Sequence, residues 1–194
     1  MGFRANSDNR YYDQKLDLRR TVLKEAKLGD LTVLDLFCGA GSIWRTLRDE
    51  FSVTGYMPVD KSPQFPGTVK ANITPRFVAG LTLTAFNVID VDCYGEPWEL
   101  WLHLAQGITR KTVVFLTHGY MTVGRCAIGK QARLAAGLPD VWAIPETQAL
   151  AEYCGQRALL AGAGTAHAAR IHRWKMPQKV TYYGMLCNPK GRTP

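Results

Sequence analysis

Hydrophobic positions along the chain change their period in an ordered way. Over residues 11–28, Leu16, Leu18, Val22, Leu23 and Leu28 form a rough helical stripe with Lys and Arg between them, which predicts a helix over the edge or top of a sheet. Gly29-Asp30 breaks it. "LTVLDLF" then runs almost continuously apolar, as a parallel strand buried on both faces does. "GSIWRTLRDEF" returns to helical spacing, with Ile43, Trp44 and Leu47 on one side, and "SVTGYMPVD" reads as a second strand ending at Asp60. Pro63, Pro66 and Gly67 argue against a full helix after it. "TVKANI" is a weak third strand, and "ITPRFVAGLTLTA" a short helix opening near Pro75. "FNVIDVDCYG", "KTVVFLTHG" and "KVTYYGMLCN" read as strands, "EPWELWLHLAQGI" and "PETQALAEYCGQRALLA" as helices. This alternation predicts a doubly wound α/β sheet.

The length, 194 residues, fits one domain. We expect a core over residues 29–194 with residues 1–28 as a helical extension. There is no run of about 18 apolar residues that would span a membrane. The polar, charged start "MGFRANSDNRYYDQKLDLRR" does not read as a secretory signal, and Asn6 stands where myristoylation prefers Ser or Thr. Five scattered cysteines without a CxxC fit reduced thiols, and the expected location is cytoplasmic. The four histidines lack ligand spacing, so no metal is expected.

Charge divides the chain. Residues 1–99 carry 12 Lys/Arg against 13 Asp/Glu, whereas residues 100–194 carry 12 against 3, with no acid after Glu152. Such asymmetry suggests a basic face for a polyanion, with nucleic acid as the expected partner. "HGYMTVGRCAIGKQARLAAGLPDVW" supplies Arg125, Lys130 and Arg133, and reads equally as a substrate loop or a solvated one. "HAARIHRWKMPQK" interleaves Arg170, Arg173, Lys175 and Lys179 with His and Trp, a pattern suited to a nucleic-acid surface and nearly as well to a solvated face. Arg125, Lys130, Arg173 and Lys175 are the candidate substrate-binding residues.

Ligands of doubly wound sheets bind beyond the carboxyl ends of the strands. There the first strand runs into Cys38-Gly39-Ala40-Gly41-Ser42, where Gly39 and Gly41 allow close backbone approach and the following helix offers free N–H groups. Asp35 inside that strand is costly unless paired; it orients the loop or meets a cationic ligand. Asp60, at the end of the second strand, suits ribose hydroxyls. The loop lacks the third glycine of GxGxxG and the GK[ST] of a P-loop.

"VLDLFCGAGS" closely resembles the first motif of class I S-adenosylmethionine-dependent methyltransferases, in the variant with Phe37 in place of the first glycine that is similar to those acting on nucleic acids. The resemblance implies a Rossmann-like methyltransferase sheet and S-adenosylmethionine as cofactor. By it, Asp35, Gly39 and Gly41 surround the methionine part, Asp60 takes the ribose, and Asn72 faces the adenine, with Phe37 a further cofactor-binding candidate. The tip Asp92-Cys93-Tyr94-Gly95 resembles the Asp-Pro-Phe-Gly tip of tRNA guanine-N2 methyltransferases.

Asp90 and Asp92 share one face of an apolar strand, which only a functional role or a tight hydrogen-bond network justifies. Asp90 joins the candidate cofactor residues. Asp92 and Tyr94 are the candidate catalytic residues: Asp92 to accept a hydrogen bond from a target amine, Tyr94 to stack on a base. Cys93 reads as packing, as do Trp98 and Trp101. The expected activity is methyl transfer to a nitrogen of an RNA or DNA base. The rivals are the same enzyme class acting on a small molecule or protein, and an inactive module that only binds nucleic acid.

Overall fold

The computed structural model describes residues 11–93, 95–119, 128–138, 148–176 and 180–188. Its strands are β1 (Leu31–Leu36), β2 (Val53–Asp60), β3 (Val69–Lys70), β4 (Val88–Val91), β5 (Thr112–Gly119), β6 (Ala168–Lys175) and β7 (Val180–Cys187). They form one sheet in the order β3-β2-β1-β4-β5-β7-β6. β1 to β5 pair in parallel, and β7 runs antiparallel between β5 and β6. The doubly wound expectation holds.

Two apolar layers sandwich the sheet. On one face, α1 (Tyr12–Ala26) and α2 (Ser42–Leu47) pack on Val33, Val88, Val113, Phe115 and Tyr182. Leu16, Val22, Leu23 and Ala26 line the buried side of α1 at helical spacing. This helix therefore covers the face of the sheet, where the sequence suggested its edge or top. It ends at Lys27, which takes a left-handed conformation and donates its N–H to the Leu23 carbonyl at 3.2 Å.

On the other face lie α3 (Pro75–Ala79), α4 (Trp98–Gly107), α5 (Lys130–Ala135) and α6 (Gln148–Thr165). Trp98 and Trp101 of α4 pack on Gly155 and Gly162 of α6, as their helical spacing suggested. Residues 61–68 hold no helix, in keeping with their prolines.

One strand was not legible. The segment read as a basic surface stretch contains β6, where Ile171 and Trp174 stand three apart among Arg, His and Lys and so share no period-two face. An edge strand buries little, so its apolar signal is weak. α5 likewise emerges inside a stretch read as a loop.

Candidate active site

The carboxyl ends of β1, β2 and β4 converge on the glycine turn. Phe37, the residue after β1, has φ 64°, a left-handed conformation that is an outlier for a bulky side chain. Its N–H and that of Cys38 donate to the Val59 carbonyl at 2.9 and 3.2 Å, fixing the chain as it leaves the sheet. Gly39 (φ 51°) and Gly41 (φ 65°) complete the turn, and Gly41 caps α2. A Cβ on Gly39 would meet nothing within 4 Å, so the turn is open on that side; on Gly41 it would strike the Phe65 ring at 2.7 Å. Asp60 locks the turn, accepting the Gly39 N–H at 3.1 Å on one oxygen and the Ser62 N–H at 2.7 Å on the other.

Beneath the turn stand three carboxyl groups. Asp35 and Asp90 are neighbours across β1 and β4. Asp35 is buried and accepts the Tyr56 hydroxyl at 2.7 Å. Burial and then the adjacent Asp90 push its carboxyl well above the usual range, against the pull of Tyr56 and Arg19. Arg48 lies over the Tyr56 ring, 4.8 Å from its centroid.

Asp90 departs from expectation. Arg19 of α1 grips it with two hydrogen bonds of 2.7 and 2.8 Å, and Trp44 Nε1 donates to it at 2.9 Å. Arg19 and Asp90 are both almost wholly buried. The carboxylate is therefore held by three protein donors, is closed off from solvent, and ties α1 and α2 to β4.

Asp92, one fifth exposed, accepts Lys15 Nζ on both oxygens (2.8 and 2.6 Å) and Thr117 Oγ1 at 2.6 Å. Burial pushes its carboxyl up, but Lys15, with Arg19 and Thr117, overrides this and leaves it below the usual carboxylate range. Cys93 is buried, and burial pushes its thiol up to about 12, so it stays protonated at neutral pH, as a packing residue should.

A cavity of about 420 Å³ opens on the other side of the β4 tip, lined by Phe37, Ile73, Thr74, Cys93, Glu96 and Leu100 among others. Asn72 is exposed and is not part of this lining; its neighbours Ile73, Thr74 and Pro75 are. Among the described residues, no cluster of three or more His, Cys, Asp or Glu is placed to hold a metal ion.

The candidate substrate residues are less gathered. Lys130 is exposed at the start of α5, beside Gly129 of the cavity wall. Arg173 and Lys175 lie on β6, at the same end of the sheet as Asp92 but three strands away, about 14 Å at ordinary strand spacing. They also lie on the α6 face: Lys175 is 3.8 Å from Glu152 of α6, and Arg173 pairs in register with Tyr183 of that face's core. Tyr94 and Arg125 fall outside the described residues.

The sequence reading missed Lys15, Arg19, Tyr56 and Thr117. One signal was available: Lys15 and Arg19 stand four apart, and Arg19 sits among the stripe residues Leu16, Val22 and Leu23, where a cation needs a buried acid.

No protein-family model matches the chain, and no curated protein does. Solved structures do. Trm1 from Pyrococcus horikoshii, in complex with S-adenosyl-L-methionine, is 17% identical with a TM-score of 0.56 over 90% of this chain and 54% of that one. The DszA carbon methyltransferase is 15% identical, TM-score 0.51, over 98% and 57%. The plantazolicin methyltransferase BpumL, in complex with a pentazolic desmethylPZN analog and SAH, is 10% identical, TM-score 0.51, over 95% and 89%.

The fold is that of the S-adenosylmethionine-dependent methyltransferases. The chain spans only about half of the Trm1 structure, and identities this low establish the fold alone. Within that fold the glycine turn, Asp60 and the β4 tip stand at the carboxyl ends of the central strands, where doubly wound sheets bind ligands.

Proposed function

We propose that this protein is an S-adenosylmethionine-dependent methyltransferase that acts on a nitrogen of a nucleic-acid base. The observation that carries the cofactor reading is the turn strained at Phe37 and completed by Gly39 and Gly41, locked by Asp60 and open on the Gly39 side. Backbone strain of this kind persists where the surroundings enforce it, characteristically at ligand sites. The neighbouring cavity, with an apolar floor of Phe37, Ile73 and Leu100 and polar groups on Thr74 and Glu96, suits a purine and its ribose.

In this reading Gly39 and Gly41 cradle the methionine part with Asp35 behind them, and Asp60 receives the ribose. Ile73 and Thr74 take the adenine side that the sequence assigned to Asn72. Bound there, the cofactor supplies a methyl group activated on a sulfonium. Asp92 holds the acceptor nitrogen by a hydrogen bond, and Tyr94 stacks on the base.

The nucleic-acid part rests on the basic second half, on Lys130 beside the cavity, and on the likeness of the Asp92-Cys93-Tyr94-Gly95 tip to that of tRNA guanine-N2 methyltransferases. One observation favours a second reading, a small-molecule acceptor. Arg173 and Lys175 stand on the face opposite Asp92, and Arg170 is paired with Glu25 at 2.9 Å. No helix among the described residues is long and apolar enough to cross a membrane; a cytoplasmic location remains our proposal.

The test is calorimetric titration with S-adenosylhomocysteine on wild type and Asp60→Ala, with circular dichroism to confirm folding. Saturable binding by wild type, weakened at least tenfold in the variant, is expected. A folded wild type that binds none would overturn the reading.

A further inference from the structure

Asp92 does not stand free at the end of β4. Lys15 Nζ donates to both of its oxygens and Thr117 Oγ1 to Oδ1. An ionised carboxylate offers about four acceptor directions. Among the described residues, two on Oδ1 and one on Oδ2 are taken, which leaves one on Oδ2. The charged and titratable groups around it are Lys15 and Arg19 from α1, Asp90 and Cys93 on its own strand segment, and Asp35 on β1. The Tyr182 ring of β7 lies 5.5 Å from the Lys15 ammonium and helps hold it in place.

We propose that Lys15 is the positioning residue of the transfer site, fixing Asp92 as an ionised acceptor with one direction free, so that the site takes a neutral N–H donor and not an alkylammonium. This rests on the methyltransferase reading above and names its acceptor class: a ring, exocyclic or amide nitrogen. An alkylammonium must lose a proton before its nitrogen can attack. A carboxylate already bonded to Lys15 and Thr117 is a poor base at neutral pH, and the Lys15 ammonium repels a second cation at close range. A neutral N–H instead donates to the free direction on Oδ2, which orients the nitrogen for attack. In the transfer the N–C bond forms from the nitrogen pair, and the methyl–sulfur bond breaks with its pair left on sulfur. The proton released from nitrogen passes by Asp92 to water.

The test is a carbon-13 NMR titration of the full chain labelled at aspartate Cγ, with the Asp92 signal identified by its loss in Asp92→Asn. Wild-type Asp92 should titrate below the ordinary value of about 3.9. Lys15→Met should raise that midpoint by about one pH unit or more, while Lys15→Arg keeps it low. Thr117→Val, which leaves α1 untouched, should raise it by less. An unmoved midpoint overturns the proposal; a merely structural Lys15 would move it too, but would leave the preference of Lys15→Met for RNA over polylysine equal to that of wild type, and an equal preference likewise overturns it.

The same proteins are titrated with S-adenosylhomocysteine. Wild type that binds none defeats the methyltransferase reading, whereas the Asp92 titration judges the role of Lys15 separately. With labelled methyl donor, incorporation into total RNA should exceed incorporation into polylysine. Polylysine as the better acceptor overturns the assignment of acceptor class.

Discussion

Asp35, Asp90 and Asp92 are three carboxyl groups on one face of adjacent strands, met by two cations, Arg19 and Lys15. Two acids are paired, and the third, Asp35, keeps its proton to a higher pH than usual. The sequence showed that these acids needed partners; it did not show which they had. Elsewhere His118, buried on β5 with its ring 4.9 Å from that of Trp98, is held neutral. Burial, and to a smaller extent Arg173, lowers its pKa to about 4 against the pull of Glu152. The unfolded chain takes up this proton near pH 6.5 and the folded one does not. Stability from this site is therefore complete above about 6.5 and lost as pH falls toward 4, by up to about 3 kcal/mol. Asp35 works in the opposite sense, since its folded form holds the proton more tightly and gains stability as pH falls. Urea midpoints at pH 7 and pH 4.5 for wild type and His118→Phe isolate the histidine. The acid loss should shrink in the variant, and equal losses in both proteins would refute this account.

Elements meet through small residues as much as through apolar ones. α4 and α6 approach closely because Gly155 and Gly162 leave room for two indoles; a Cβ on Gly155 would come within 2.9 Å of Trp98, and one on Gly162 would press into Trp101. Trp101 Nε1 also donates to the Leu159 carbonyl at 3.2 Å, which leaves the ring little freedom to move aside. Gly162→Ala should therefore destabilise. Overpacking costs about 1–3 kcal/mol, against a helix-propensity gain of about 1 kcal/mol. Gly164→Ala, in the same helix with nothing within 4 Å of the added carbon, should be neutral or stabilise by up to about 1 kcal/mol. Thermal melts of the two variants decide this, and equal shifts would contradict it. The tryptophan spacing was legible in the sequence. The matching glycines were not, because nothing local says which helix will face α4.

At the scale of the molecule, the described basic side chains of β6 are divided between both faces of the sheet. Arg170 and His172 meet Glu25 of α1, while Arg173 and Lys175 lie toward α6. If this surface tracks a nucleic-acid backbone, binding of a labelled RNA hairpin should weaken steeply with salt. Arg173→Ala and Lys175→Ala should each reduce the slope of log affinity against log salt by about 1. Anisotropy titrations across a salt series measure this, and a slope near zero would favour the small-molecule acceptor. The sequence by itself determined the glycine turn, the buried central strands and the acids at their ends. These are local patterns, set by side-chain period and by what glycine alone permits. Only the tertiary structure decided that Lys15 and Arg19, 77 and 71 residues away in the chain, meet Asp92 and Asp90. The pairing of a buried charge is settled by which helix packs over which strand, and no local pattern of residues encodes that packing.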